Sequence, residues 1–315
     1  MDKNLSVLTP TTGRFAAEEA DRLLGRLAFQ VARTIKCRGA AEVHDLRVAI
    51  RRFMRVLIVL KPCFPRNESR RIRRGLKRIM LQAGSVRDRD IALGLLSRLA
   101  PSASNPLMRQ FRTEREEAAN TLAVSLKRWV RRNHSAKWRD ALEGEGASEE
   151  FCARPVAVTA GRMLPQIAVE YFICGKDAVR DKAPAEGLHR FRIATKDFRY
   201  TLDLFAPLYG TSINGLVRQL KSLQSLLGEI NDCATVRRMV PRDKGGREIL
   251  AALKKRQRKK AAEFRRHWTS AFSSAAVVRR WTDDLRRVGD QRLVARKSPA
   301  RSEPAASATA RSASA

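Results

Sequence analysis

Acid is what this chain most lacks: 32 Asp and Glu stand against 64 Lys and Arg, a formal net charge of +32. Such a field gathers polyanions and opposes compaction, so the partner class is nucleic acid, an anionic membrane or inorganic polyphosphate. The tail from Gln291 holds five basic residues and one acid, so all but +4 of the excess sits on the part that folds. Cysteine is sparse too. Cys37, Cys63, Cys152, Cys174 and Cys233 are scattered, odd in number and without Cys-x-x-Cys spacing. That excludes a zinc ribbon or a disulfide framework and leaves buried free thiols in a reducing cytosol as the expectation. Long apolar runs are missing: Val56–Leu60 is closed by Arg55 and Lys61, too short for a membrane span. The N-terminus, MDKNLSVLTPTTGRF, lacks the basic-then-apolar layout of a signal peptide. No Gly-rich phosphate loop, nucleophile–base pair or acidic metal cluster is found, which argues against an enzyme and against any cofactor. Apolar residues still reach 43% of 315, enough for helical cores.

What is present is a histidine-led basic stripe, and it occurs twice. The copies are VHDLRVAIRRFMRVLIVLKP (Val43 to Pro62) and LHRFRIATKDFRYTLDLFAP (Leu188 to Pro207). At about 100° per residue on a helix, His44, Arg47, Arg51 and Arg55 share an arc of roughly 80°, as do His189, Arg192, Lys196 and Arg199. The opposite faces are apolar: Val43, Leu46, Ile50, Phe53, Leu57 and Leu60, then Leu188, Phe191, Phe198, Leu202 and Phe205. From His44 to Arg55 is about 16 Å at the helical rise, the reach of several phosphate units. Arginine suits that ligand, because its planar fork grips phosphate oxygens in pairs and keeps its charge.

The stripes belong to a longer internal repeat. Alongside them LKRIMLQAGSVRD (Leu76 to Asp88) matches LKSLQSLLGEIND (Leu220 to Asp232), aligning Lys77 with Lys221, Gly84 with Gly228 and Asp88 with Asp232. These segments repeat the design, with Arg70, Arg74 and Lys77, then Arg218 and Lys221, opposite an apolar side. Helical periodicity dominates and no strand alternation stands out, so the fold class is all-α, with tandem duplicated bundles. The first half predicts helices near 14–37, 41–61, 68–84, 86–99 and 104–138. The second predicts them near 153–175, 187–206, 211–228, 230–240 and 244–272, with a short last helix near 276–288. Gly84, Gly175 and Gly228 are read as breaks, and the Glu143–Gly146 run as the junction. Residues 1–13 form an N-terminal segment, 14–290 the domain (repeats 14–145 and 150–290), and 291–315 a disordered Ser/Ala/Pro/Arg tail.

The paired motifs His44-x-x-Arg47-x-x-x-Arg51-x-x-x-Arg55 and His189-x-x-Arg192-x-x-x-Lys196-x-x-Arg199, with the Gly84…Arg87-Asp88 and Gly228…Asn231-Asp232 segments, resemble the CHAD domain, the conserved histidine α-helical domain. The resemblance covers roughly 14–290. It implies two four-helix bundles related by a pseudo-two-fold, around a basic groove or pore that binds inorganic polyphosphate. Some members carry a fused triphosphate-tunnel (CYTH) domain with a Glu-x-Glu-x-Lys motif; none is found here, so the chain resembles a stand-alone member. It departs from the pattern in placing Tyr200 where the first half has Arg55, and Arg190 where it has Asp45.

Rival readings are weaker. A metal at His44 or His189 would need further ligands, and their helices supply cations instead. An acid–base or phosphate-accepting histidine would make the protein a histidine-dependent phosphohydrolase, but no partner residues complete such a site. Single-strand binders interleave aromatic platforms with cations, whereas here Phe53, Phe191, Phe198 and Phe205 fall on the core side and only Tyr200 joins a cationic arc. Adventitious RNA or DNA binding is expected at low salt. His134 and His267 lack repeat partners and read as structural. Asp88 and Asp232, following the glycines, read as caps or arginine partners. The expectation is a cytoplasmic, non-catalytic polyphosphate binder associated with polyphosphate granules.

Overall fold

The computed structural model describes residues 10–99, 106–144, 148–180 and 185–297. Among them every regular element is helical: α1 (Thr12–Cys37), α2 (Ala40–Val59), a 3-10 turn (Lys61–Cys63), α3 (Arg66–Leu99), α4 (Pro106–Arg131), α5 (His134–Leu142), α6 (Glu149–Ala153), α7 (Val156–Val179), α8 (Ala185–Tyr209), α9 (Asn214–Met239), α10 (Lys244–Phe272) and α11 (Ala275–Lys297). The all-α class is as expected. In the first half α1 packs on α2, α2 on α3 and α3 on α4; in the second, α7 packs on α8, α8 on α9 and α9 on α10.

Several boundaries differ from the sequence reading. Gly84 and Gly228 do not break anything: α3 and α9 run straight through them. A glycine costs a helix interior only about 1 kcal/mol, which long helices buried along one face easily outweigh. The expected 104–138 helix is instead cut after Arg131, where Asn133 takes the left-handed conformation (φ 49°). The last helix is 23 residues long and packs along α7; it takes in 291–297 of the expected tail, while 298–315 lie outside the described residues. Of the cysteines, all free, only Cys233 is buried, and Cys37 is exposed, so the expectation of buried thiols fails at the other four.

One core runs through both halves. Phe53 stacks on Trp138 in the first, and Phe15 of α1 stacks on Phe205 of α8, ring centroids 5.8 Å apart. The scarce aromatics concentrate in the second half, where Tyr171, Phe172, Phe191, Phe198, Phe264, Trp268, Phe272 and Trp281 form one buried cluster. Gly175 is not a break but a packing point inside α7, because a Cβ there would run into the Trp268 indole. Gly175→Ala is therefore expected to cost about 1–3 kcal/mol as an overpacked core, read as a lowered urea midpoint with unchanged far-ultraviolet dichroism.

The halves touch helix to like helix: α1 with α7, α2 with α8, and α3 with α9. The Thr12 hydroxyl at the start of α1 donates to the Arg154 carbonyl (2.7 Å) and lies 2.8 Å from the Thr159 hydroxyl. At the far end, a second apolar cluster joins Ala92, Leu96 and Phe111 to Cys233, Val236 and Leu253. The cationic stretches of α2 and α8 lie between these contacts.

Candidate functional site

The apolar faces read from the sequence turn inward. Every residue named for them is buried except Leu188, which is half-exposed. Their opposite faces therefore turn away from the core, and the stripes meet. Arg47 lies close enough to Arg51, and to Arg192 of the other half, to feel both charges, and Lys196 feels Arg192, Arg51 and Arg47. None of Arg47, Arg51, Arg192 and Lys196 forms a direct ion pair among the described residues. Arg47 donates to the Met80 carbonyl (3.1 Å), and the buried Nε of Arg192 has no partner.

Burial and mutual repulsion penalise this charge. Burial first, then Arg51, lowers the Arg47 guanidinium to about 10. Burial, then Arg192, Arg51 and Arg47, brings the Lys196 ammonium from 10.5 to about 7. Burial also lowers Arg192, and burial with Arg87 lowers the His44 imidazole. Cations held together with fewer carboxylates than charges, and with no direct ion pair among the described residues, make a site poised for a polyanion. Two carboxylates sit beside it. Asp88 and Asp232 lie within α3 and α9, so they cap nothing, which corrects the capping reading. Burial raises both, against the pull of Arg47 on Asp88 and of Arg192 on Asp232.

The ends of the stripes are spent elsewhere. Arg55, at one edge of its arc, pairs with Asp197 of α8, and Arg52 pairs with Asp203 at 3.7 Å. Arg199, at the opposite edge of its own arc, is buried. It donates to Gln224 (2.7 Å), pairs with Asp203 (3.1 Å), and lies 4.3 Å from the centroid of the Tyr200 ring. Tyr200 is itself buried, at 4% exposure, so it presents no stacking platform to solvent. His44 and His189 are exposed at the outer ends of the rows, although neighbouring atoms crowd the His44 ring enough to desolvate it in part. Arg70, Arg74 and Lys77 on α3, with Arg218 and Lys221 on α9, are all exposed. His134 packs between Trp129 and Trp138, with centroids 6.2 and 5.5 Å away.

Sequence reasoning quoted Arg87 in the repeated motif without counting it in the site and passed over Arg238; their charges reach the half-buried carboxylates. The signal available was Arg87 itself, one residue before the repeated aspartate. Cavities open on both sides. One, of about 320 Å³, is walled by Arg87, Asp232, Arg98 and Arg256. The other, of about 550 Å³, holds His189, Arg192 and Arg238. Among the described residues no cluster of three His, Cys, Asp or Glu could hold a metal ion, and no helix is long and apolar enough to cross a membrane.

A family model for the CHAD domain matches residues 18–241. The chain belongs to the CHAD family. It is similar in structure to the CHAD domain from the plant Ricinus communis, with a TM-score of 0.61 at 18% identity over 88% of this chain and 93% of that one. It is also similar to PptA from Streptomyces chartreusis, with a TM-score of 0.62 at 14% identity over 84% of this chain and 100% of that one. At such identities the likeness shows the fold. No curated protein sequence matches significantly.

Within this CHAD domain the repeated glycines differ in one testable way. A Cβ on Gly84 would fall 3.1 Å from the Arg47 guanidinium, whereas nothing lies within 4 Å of one on Gly228. Both Gly→Ala changes should stabilise their helices by up to about 1 kcal/mol. Only Gly84→Ala should also weaken binding of a polyanion, several-fold, by displacing Arg47. Thermal melts and binding titrations on the two variants check this; equal binding by both would separate Arg47 from the site.

Proposed function

We propose that this protein binds inorganic polyphosphate without hydrolysing it, in a basic passage between its two halves. The observation that carries this is the convergence of Arg47 and Arg51 with Arg192 and Lys196, from two halves and without a direct ion pair among the described residues. A phosphate chain offers one negative charge per unit and no base to recognise, which suits cations without an aromatic platform. Membership of the CHAD family supports the same ligand. Contact of α1, α2 and α3 with their counterparts α7, α8 and α9 supports a pseudo-two-fold through the passage, so a chain would meet similar groups in either direction. Each imidazole, His44 and His189, would donate to a phosphate oxygen at a mouth, with the exposed Arg70, Arg74, Lys77, Arg218 and Lys221 extending the basic track outward. Arg55 and Arg199 hold α8 in place and contact phosphate less. The binding unit extends past the matched residues to about 290, because α10 and α11 close the second half around Trp268 and Trp281. A protein of this kind would reside in the cytoplasm on polyphosphate granules.

Titration calorimetry with polyphosphate of defined length tests the binding, and a fluorescent fusion co-localised with a polyphosphate stain tests the granule location. Orthophosphate release above a His44/His189 double-variant control would replace this reading with a hydrolase.

A further inference from the structure

The 550 Å³ cavity lies at a place where the two repeats differ in sequence. In α3, Asp90 accepts from Arg115 of α4 (3.0 Å), and the same guanidinium donates to the Arg38 carbonyl (2.7 Å), plugging the space beside α2. The residue aligned with Asp90 in α9 is Ala234, and the one aligned with Gly94 is Arg238. With the acid gone there is nothing for such a plug to hold. The space between α8, α9 and α10 stays open over Leu188, Ile230 and Ala234.

Its chemistry is two-sided. The floor is aliphatic, which a bare phosphate chain cannot use. The rim carries Gln257, whose Oε1 accepts from Arg237 (2.8 Å), which fixes the amide and leaves its N–H groups for a ring acceptor. Arg190 and Arg238 are exposed on the same rim, where guanidinium planes can stack on a base. Along α8 the order is Glu186, His189, Arg192, about 9 Å from first to last. A carboxylate at the outer end accepts from hydroxyls and repels phosphate; the cations at the inner end do the reverse. A volume of about 550 Å³ is in the range of small-molecule sites.

We infer that this cavity is a nucleoside site, taking the base and ribose of a nucleoside polyphosphate whose phosphates run inward to Arg192 and Lys196. The placement of the phosphates rests on the polyphosphate reading; the base site rests on the cavity alone. A nucleotide would then compete with one end of a polyphosphate chain, and nucleotide level would tune occupancy of the passage.

The test compares adenosine 5′-tetraphosphate with inorganic tetraphosphate by calorimetry. Bulk charge favours the inorganic ion, which is the more negative. A base site is expected to reverse the order, with the nucleoside compound about tenfold tighter. Ala234→Phe fills the cavity and should erase that advantage while leaving the affinity for long-chain polyphosphate within about twofold. If the two tetraphosphates bind wild-type protein equally, or the inorganic ion binds better, the nucleoside site does not exist, and long-chain binding stands untouched. Nucleoside binding kept while long-chain binding fails would support the cavity and sink the polyphosphate reading alone. Should Ala234→Phe not fold, photolabelling of wild-type protein with 8-azidoadenosine triphosphate decides: label is expected on α8 near Leu188–Arg190 or on α10 near Gln257, and label elsewhere overturns the site.

Discussion

Reversing charge at the centre of the passage, with Arg51→Glu and Lys196→Glu together, should lower affinity for long-chain polyphosphate at least about 100-fold. Each lost charge-assisted contact is worth about 1.5–3 kcal/mol, so two exceed the 2.7 kcal/mol that such a factor requires, and glutamate adds repulsion. The salt dependence of binding should flatten as well, by analogy with counterion release from nucleic acids. Stability should move the other way. In the double variant the new carboxylates meet Arg192 and Arg47, two of the groups that now repel the lysine, and the Arg51–Lys196 repulsion is gone, so the melting temperature should hold or rise. The control is Lys127→Glu with Arg128→Glu on α4, an equal change of charge at two exposed positions. Screening over about 8 Å at physiological salt makes that pair cost only a few-fold. Equal losses from both pairs would mean that the ligand reads bulk charge and that there is no site.

Binding should also be accompanied by uptake of a proton on Lys196. Free, the ammonium has a pKa of about 7; with phosphate beside it, the charged form is favoured and the pKa returns toward the 10.4 of an unperturbed lysine. Between those limits the bound state holds a proton that the free state lacks, so affinity falls as pH rises, roughly fifty-fold from pH 7 to 9. Long chains keep the titration of the phosphate termini negligible. Calorimetry at pH 8 in buffers of different ionisation enthalpy should read close to one proton per site. Lys196→Arg, charged throughout, should abolish it. Below pH 7, His44 should add a second uptake, since its pKa is lowered in the free protein by burial and by Arg87. The sign for folding is opposite. Between about pH 7 and 10.5 the unfolded chain holds the Lys196 proton that the native state gives up, so the free protein should grow more stable with rising pH over that window. Absence of proton uptake at pH 8 would mean that Lys196 is already charged in the free protein and that the cations are less crowded than described.

Much of this was legible in the residues. Period and duplication identified two similar helical halves, the buried faces of α2 and α8, and the middle of both cationic rows. What could not be read depends on neighbours from other parts of the chain. Arg55 and Arg199 sit on the arcs by helical angle, yet Asp197 of α8 takes Arg55 out of the cluster and Gln224 of α9 holds Arg199, which also pairs with Asp203 four residues on in its own helix, a local pair the spacing did offer. Gly84, Gly175 and Gly228 looked like punctuation because a local rule cannot weigh a glycine's small cost against a long buried face. Gly84 and Gly175 in fact mark close approaches, to Arg47 and Trp268. Asp88 and Asp232 looked like caps only because the helices were expected to break before them. The cavity in the second half lies where the repeat exchanges Asp90 for Ala234 and Gly94 for Arg238, exchanges whose meaning appears only once Arg115 is seen bonded to Asp90.

The most direct measurement of the central claim is a competition at near-physiological salt, in which labelled polyphosphate of defined length and a single-stranded RNA are offered to the protein at equal phosphate concentration. Polyphosphate is expected to displace the RNA, and the Arg51→Glu, Lys196→Glu protein to lose that preference. RNA displacing polyphosphate from the wild-type protein would contradict a passage built for a chain of phosphates.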